Sequence, residues 1–263
     1  MALIELTVHS QALVTETEVL VVIPDSIKKW ADADGSCAGR CPTLYLLHGM
    51  SDDHSIWHRH TSIERYANDH GLIVVMPTTY LGFYTDMYLG EDYWRYISEE
   101  LPAICRSLFP QMSPSREDTF AAGLSMGGYG ALKLGLRAPH VFSWAAGLSS
   151  ACDVVKISKE ESLGRKGYME DVFGSKDEVE GSFNDLFAAA EDMAKGDGPV
   201  TQFFMWCGTE DFLYEQNIRF RDHLNKLGLP LHYEECPGDH QWKYWDEKIK
   251  AVLDWLPLEK EAK

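Results

Sequence analysis

Ser125 stands at the centre of Gly123-Leu124-Ser125-Met126-Gly127-Gly128, directly after the apolar run 119–122 and before a stretch rich in Ala, Leu and Gly. A serine with small residues two positions away on either side, set between a strand and a helix, has the pattern of a nucleophile elbow. The small residues let the backbone turn tightly and leave the hydroxyl exposed. The chemistry that such a turn serves is nucleophilic acyl transfer. The bare pattern is short enough to arise by chance, and a Gly-rich helix start with a capping serine would look the same. Its placement after a strand, with no second copy in the chain, is what points to catalysis.

A serine hydroxyl attacks only when a base takes its proton, and the base must be held in one tautomer by a carboxylate. With this elbow the partners are expected in the order acid, then histidine. After the apolar run 202–207 comes Gly208-Thr209-Glu210-Asp211-Phe212, and after 231–236 comes Pro237-Gly238-Asp239-His240-Gln241-Trp242. Both loops fall at the carboxyl ends of expected strands. Asp211 is favoured as the acid over its neighbour Glu210, which would then be solvated or paired with a cation. His240 is favoured as the base, and Asp239 as a turn residue bonded to its own backbone. His140, His223 and His232 lack comparable company and read as structural.

The oxyanion formed on the substrate needs backbone donors. One is the N–H of Met126, the residue after the serine. The second is expected from His48-Gly49-Met50-Ser51, after the run 43–47, and is assigned to Met50, with Gly49 freeing the backbone and His48 orienting the loop. An ordinary strand-end turn is the plain alternative for His48-Gly49. His54, His58 and His60, with Asp52 and Asp53, resemble a metal cluster in composition only, because no glutamate lies between His54 and His58 as in H-E-x-x-H. Cys37 and Cys41 have no second half-site at zinc spacing, and no phosphate-cradling Gly-rich loop is present. Neither a metal nor a cofactor is therefore expected. Aromatic residues gather after Pro77, at Tyr80, Phe83, Tyr84, Tyr88, Tyr93 and Trp94, and again at Trp242, Tyr244 and Trp245. Some must be core: Trp245 is at helical spacing from Ile249 and Leu253. Trp57, Tyr88 and Trp242 are the expected substrate-pocket walls.

These residues need a scaffold that brings distant strand ends together. Alternation over 3–8 and 17–23 predicts two antiparallel strands at a sheet edge, followed by a polar surface loop over 24–42. From there the runs 43–47, 72–76, 119–122, 142–147 and 202–207 are apolar without alternation, as in a parallel sheet covered on both faces. Helices are expected over 55–70, 91–109, 126–137, 214–227 and 241–255. The repeated order predicts an α/β fold with a mostly parallel, doubly wound sheet and an antiparallel N-terminal edge. One domain spanning 1–263 is expected, with an insertion at about 151–199 that would form a cap or lid, or else a plain surface excursion; its one persuasive helix is 183–193.

Composition narrows the class further. The formal net charge is −17 over 263 residues, which argues against nucleic acid or an anionic membrane as partner, since phosphate recognition needs a basic face. Apolar residues at 45% and charged ones at 25% fit a soluble globular chain. No apolar run is long enough to span a bilayer, six cysteines are too sparse for a disulfide scaffold, and the start lacks a secretory signal, so a cytoplasmic location is expected.

Leu46-Leu47-His48-Gly49-Met50, Phe83-Tyr84-Thr85-Asp86, Glu99-Glu100-Leu101-Pro102, Gly123 to Gly130, Trp206 to Tyr214 and His240-Gln241-Trp242 together resemble the tributyrin-esterase branch of the esterase D family, within the α/β-hydrolase superfamily. The likeness runs in order from about Leu44 to Trp255. It is similar more distantly to feruloyl and acetyl-xylan esterases, S-formylglutathione hydrolase and the mycolyltransferases. The resemblance implies a cofactor-free serine carboxylesterase for short acyl esters of small molecules, often an intracellular homo-oligomer, dimer or tetramer. By position it implies Ser125 as nucleophile, Asp211 as acid, His240 as base, and the Met50 and Met126 N–H groups as oxyanion hole. A feruloyl or acetyl esterase on plant oligosaccharides, an S-formylglutathione-type thioesterase, an acyltransferase and a catalytically dead binding protein are the competing readings.

Overall fold

The computed structural model describes residues 1–25, 41–159 and 166–258. The chain opens with β1 (Ala2–Ser10) and β2 (Thr15–Ile23), an antiparallel hairpin in register from Ala2 opposite Ile23 to Ser10 opposite Thr15. Among the described residues six further strands follow: β3 (Thr43–Leu47), β4 (Ile73–Pro77), β5 (Thr119–Leu124), β6 (Trp144–Leu148), β7 (Gln202–Gly208) and β8 (Leu231–Cys236). They form one sheet in the order β1-β2-β4-β3-β5-β6-β7-β8. The β2–β4 pair is antiparallel and every pair from β4 to β8 is parallel. The expected α/β architecture, doubly wound with an antiparallel N-terminal edge, is the one observed.

Every residue of β3, β4 and β5 is buried, because helices cover both faces and successive side chains point to opposite sides. Leu44, Leu46 and Val74 pack on one face with Trp57, Tyr66, Trp245 and Ile249. On the other, Tyr45, Leu47 and Val75 pack with Leu101, Tyr129, Ala189 and Phe220. The first face is covered by α1 (Ile56–His60) and α2 (Ile63–His70). A single helix over 55–70 was expected; Thr61 breaks it, its backbone extended and its Oγ accepting the N–H of Ile63 at 3.1 Å.

On the opposite face, α3 (Tyr93–Arg95) runs through a π turn at Tyr96–Glu100 into α4 (Leu101–Leu108). Pro102 lacks the N–H that an α-helix would supply at that point, and the wider π turn accommodates the gap. The helix α5 (Met126–Arg137) follows β5 directly. Among the described residues of 151–199 there are three helices and not one: α6 (Val154–Ile157), α7 (Tyr168–Phe173) and α8 (Leu186–Lys195). The fold closes with α9 (Tyr214–Leu227), between β7 and β8, and α10 (Trp242–Trp255), after β8. The expected loop over 24–42, with Cys37, lies largely outside the described residues.

Candidate active site

Ser125 lies between the end of β5 and the start of α5 with φ 53° and ψ −116°, a left-handed backbone that a side-chain-bearing residue adopts at a cost of about 1–3 kcal/mol. The surrounding backbone holds it there. Its N–H donates to the Leu148 carbonyl at 2.9 Å, and its own carbonyl accepts from Ala151 N–H at 3.0 Å and Tyr129 N–H at 3.1 Å. Small residues are required on either side. A Cβ at Gly123 would lie 2.3 Å from the Gly127 carbonyl oxygen, and one at Gly127 would lie 2.4 Å from that of Leu47 and 2.5 Å from that of His48.

Asp211 follows β7 by three residues, in a turn closed by its N–H to the Gly208 carbonyl at 3.1 Å. Its side chain is fully buried. One carboxylate oxygen accepts the Leu213 N–H at 2.8 Å, and the other lies 2.8 Å from His240 Nδ1. Because a carboxylate only accepts, Nδ1 carries the proton and Nε2 is left as the acceptor for a hydroxyl. The two loops are tied together by the backbone, Thr209 N–H donating to Cys236 O at 3.0 Å and Glu210 N–H to Gly238 O at 2.9 Å. Glu210 is exposed and its carboxylate meets the Thr209 hydroxyl. The His240 ring lies against Phe212, 4.6 Å between centroids, and edge-on to Trp245 at 4.8 Å.

The loop after β3 is fixed by His48. This ring is buried, its Nε2 accepting the Thr79 N–H at 2.9 Å, so its protonated Nδ1 donates to the Gly49 carbonyl at 2.7 Å. Burial lowers its pKa from the ordinary 6.5 to about 4, so the ring is neutral at neutral pH, as the Thr79 bond requires. Tyr84 hydroxyl donates to the His48 carbonyl at 2.9 Å from the other side. Gly49 matters less for freedom of φ than for space: a Cβ there would lie 2.7 Å from Leu124 Cδ1. Met126 is the first residue of α5, so its N–H is one of those that a helix start leaves without an intrahelical partner.

Ser125, His240, Met50 and Met126 all line one cavity of about 420 Å³ at the carboxyl ends of the parallel strands. Its remaining walls are mostly apolar, with Phe83, Leu124, Ile157, Phe212, Trp242 and Trp245 among them. Asp52 and Lys156 are its acidic and basic members. Burial raises the pKa of Asp52. Of the three expected pocket aromatics, only Trp242 is at the cavity. Trp57 is fully buried beneath it, its Nε1–H donating to the Leu47 carbonyl at 2.9 Å and its ring edge-on to Trp242. Tyr88 is 71% exposed and lies away from the cavity, because its N–H pairs with the Val172 carbonyl and its ring faces Gly174.

Phe83, Phe212, Ile157 and Lys156 were not singled out as pocket residues from sequence. Phe212 adjoins Asp211 in the chain, and Phe83 belongs to the aromatic cluster after Pro77, so both carried a signal. Lys156 and Ile157 carried none, since α6 is a single turn. The histidines 54, 58 and 60 diverge: His54 meets Thr78, His58 pairs with Glu64 and His60 stacks on Trp242. Among the described residues no group of three metal-ligating side chains converges. No described helix is long and apolar enough to cross a membrane.

Residues 10–256 match the family model described as "Putative esterase". A protein named acetyl esterase, from Caldicellulosiruptor saccharolyticus, is 31% identical over 97% of this chain and 98% of its own length. Among solved structures, the substrate-bound fluorophosphonate-binding serine hydrolase FphF of Staphylococcus aureus superposes with a TM-score of 0.89 at 34% identity, covering 97% of this chain and 98% of the other. An S-formylglutathione hydrolase apoenzyme, FrmB of the same species, gives a TM-score of 0.86 at 34% identity over the same shares.

Proposed function

Because the chain belongs to this esterase family, and is a carboxylic ester hydrolase of the serine type, we propose that it hydrolyses short-chain acyl esters of small molecules through Ser125, His240 and Asp211. The observation that carries the reading is the convergence of three strand ends on one cavity: a serine on a left-handed turn, and a histidine whose Nδ1–H is taken by a buried carboxylate. In the proposed reaction Ser125 Oγ attacks the ester carbonyl as His240 Nε2 takes its proton. The oxyanion is received by the N–H groups of Met50 and Met126. His240 then protonates the leaving alcohol, and water, activated by the same histidine, releases the acid from Ser125. Asp211 keeps the ring in the needed tautomer throughout. Residues 151–199 act as a cap on a domain spanning the chain, contributing Ala151, Lys156 and Ile157 to the cavity wall.

The bulk of Phe83, Leu213, Trp242 and Trp245 around the serine favours a small acyl group, and the acetyl esterase relative supports the same substrate size. A thioester reading uses the same residues and is supported by the relative named S-formylglutathione hydrolase. Initial rates on p-nitrophenyl acetate, butyrate and octanoate, methyl ferulate and S-formylglutathione, with Ser125→Ala as the blank, separate the readings. Rates falling from acetate or butyrate to octanoate, with little feruloyl or thioester turnover, are expected. Dominance of S-formylglutathione or methyl ferulate would replace the short-chain reading while keeping the same triad.

A further inference from the structure

Lys133 is fully buried in α5, two turns beyond Ser125, and among the described residues no carboxylate pairs with it. Its Nζ donates to the Asn184 side-chain oxygen at 2.7 Å, the Thr85 hydroxyl at 3.0 Å and the Tyr84 carbonyl at 3.3 Å. Burial lowers its pKa well below the ordinary lysine value, yet the Thr85 hydroxyl donates to Asn184, so all three oxygens accept from Nζ, as many as an ammonium has protons. The rings of Trp94, Phe183 and Tyr129 surround it, with centroids 4.9, 5.3 and 5.6 Å from Nζ. Burying a lysine costs stability even when hydrogen-bonded, so the arrangement calls for a reason beyond packing.

The reason lies in what the three acceptors belong to. Phe83 and Tyr84 are consecutive non-glycine residues with φ of 47° and 49°, a pair of left-handed conformations that persists only where the surroundings over-determine it. Tyr84 is held at three points. Its carbonyl meets Lys133, its hydroxyl meets the His48 carbonyl, and its ring lies where a Cβ on residue 130 would be 2.5 Å away, which Gly130 leaves open. The turn so held sets Phe83, itself only 2% exposed, at the edge of the catalytic cavity. Behind the wall its ring packs on Phe173 at 5.4 Å, Tyr129 at 5.9 Å and Tyr168 at 6.4 Å, two of them from residues 151–199. Asn184, the third acceptor, belongs to the same stretch, and its carbonyl accepts the Tyr129 hydroxyl at 2.8 Å.

We propose that Lys133 is a positioning residue for substrate selection: its ammonium fastens the strained Phe83–Tyr84 turn to α5 and to residues 151–199, and so sets the wall that the ester meets. The proposal rests on the esterase reading of the site. Without the ammonium the Tyr84 carbonyl and the Thr85 and Asn184 side chains lose their common partner, the turn relaxes toward ordinary φ values, and Phe83 leaves its place. The elbow itself is held by separate bonds from Leu148, Ala151 and Tyr129, and the loop after β3 keeps the His48 bonds to Thr79 and Gly49 even where the Tyr84 bond to His48 weakens, so kcat falls far less than KM rises.

The test is Lys133→Met, with Thr85→Val as a milder companion that removes one acceptor of Lys133 together with the Thr85 bond to Asn184. For Lys133→Met the expected result is a rise in KM for p-nitrophenyl butyrate of about tenfold against a fall in kcat of at most about threefold. The octanoate-to-butyrate rate ratio also shifts, while a small fluorophosphonate labels Ser125 at close to the wild-type rate. Thr85→Val moves KM and the ratio in the same direction, by about two- to threefold. A folded Lys133→Met whose KM and chain-length ratio match the wild type, with only its melting temperature lowered, overturns the proposal, as does an unchanged KM in Thr85→Val. A wild-type protein that fluorophosphonate labels but that turns over none of the esters would instead count against the esterase reading.

Discussion

The strand ends that carry Ser125, Asp211 and His240 are held by backbone, whereas the walls of the cavity around them are held by side chains. Ser125 hangs on the neighbouring strand through the Leu148 carbonyl, and the Asp211 and His240 loops are joined by Thr209 N–H to Cys236 and Glu210 N–H to Gly238. Each is at most four residues from the end of a parallel strand. The walls, by contrast, come from the turn at Phe83, the single helical turn α6, the exposed ring of Phe212 and the first residue of α10. What places them is ring packing and the buried Lys133. On the proposed mechanism the sheet fixes the reacting atoms closely and leaves selectivity to parts that can vary without disturbing the ladder.

The contrast is tested most severely at the reacting atoms. Ser125→Ala is expected to lower kcat by about 10⁴–10⁶ while leaving the melting temperature close to wild type. Stopped assays on p-nitrophenyl butyrate at high enzyme concentration check it, and an active alanine variant would remove Ser125 from the mechanism. Next comes the acid. Asp211→Asn keeps the shape of the buried side chain but no longer enforces the Nδ1–H tautomer, so kcat falls by about 10³–10⁴. Glu210→Gln, on the exposed neighbour, stays within about twofold. The reverse ranking would hand the role to Glu210 and break the idea that burial selects the acid.

The same contrast explains what could be read in advance. Strand ends follow from where apolar runs stop, so Gly123-Leu124-Ser125, Asp211 and His240 could be assigned to the carboxyl edge from their positions along the chain. The antiparallel edge formed by β1 and β2 was equally legible, through alternation. Which face of an element a ring takes is a different matter. Trp57 and Trp242 are both near strand ends in sequence, yet the indole N–H of Trp57 needs a partner and finds it in the Leu47 carbonyl under the sheet edge. The orientation of Tyr88 is set by a backbone bond to Val172, more than eighty positions away, which no local pattern encodes. Likewise α6 and α7, of four and six residues, are too short to show helical periodicity.

The proposed oxyanion loop joins the two regions, and pH probes it. Its brace, His48, must stay neutral to accept the Thr79 N–H, and burial holds its pKa near 4 against 6.5 in the unfolded chain. Between those values the unfolded state binds the extra proton and the folded state does not. Stability is therefore whole above about pH 6.5 and is lost as pH falls through about 4, by about 3 kcal/mol in total. Denaturant titrations from pH 7 to pH 4 should show that loss, less whatever other groups contribute, and His48→Gln should flatten it at the expense of stability at pH 7. A wild-type profile unaffected by that substitution would mean that the loop does not depend on a neutral ring.

Among the cavity walls the effect to look for is at Trp242. Trp242 is half-exposed at the cavity, edge-on to Trp57 at 5.1 Å and to Trp245 at 5.3 Å, with His60 stacked on it at 4.8 Å. Trp242→Ala removes a wall without touching a reacting group, so kcat on p-nitrophenyl acetate should stay within about threefold. The octanoate-to-acetate ratio should rise about fivefold, roughly what an extra buried methylene or two contributes to discrimination in an apolar pocket. Since Trp57 keeps its bond to Leu47, the end of β3 stays in place and the oxyanion loop with it. If acetate turnover collapses along with the ratio, the wall and the machinery are coupled through the Trp57–Trp242 contact, and the division between a backbone-held reaction centre and side-chain-held selectivity fails at that edge.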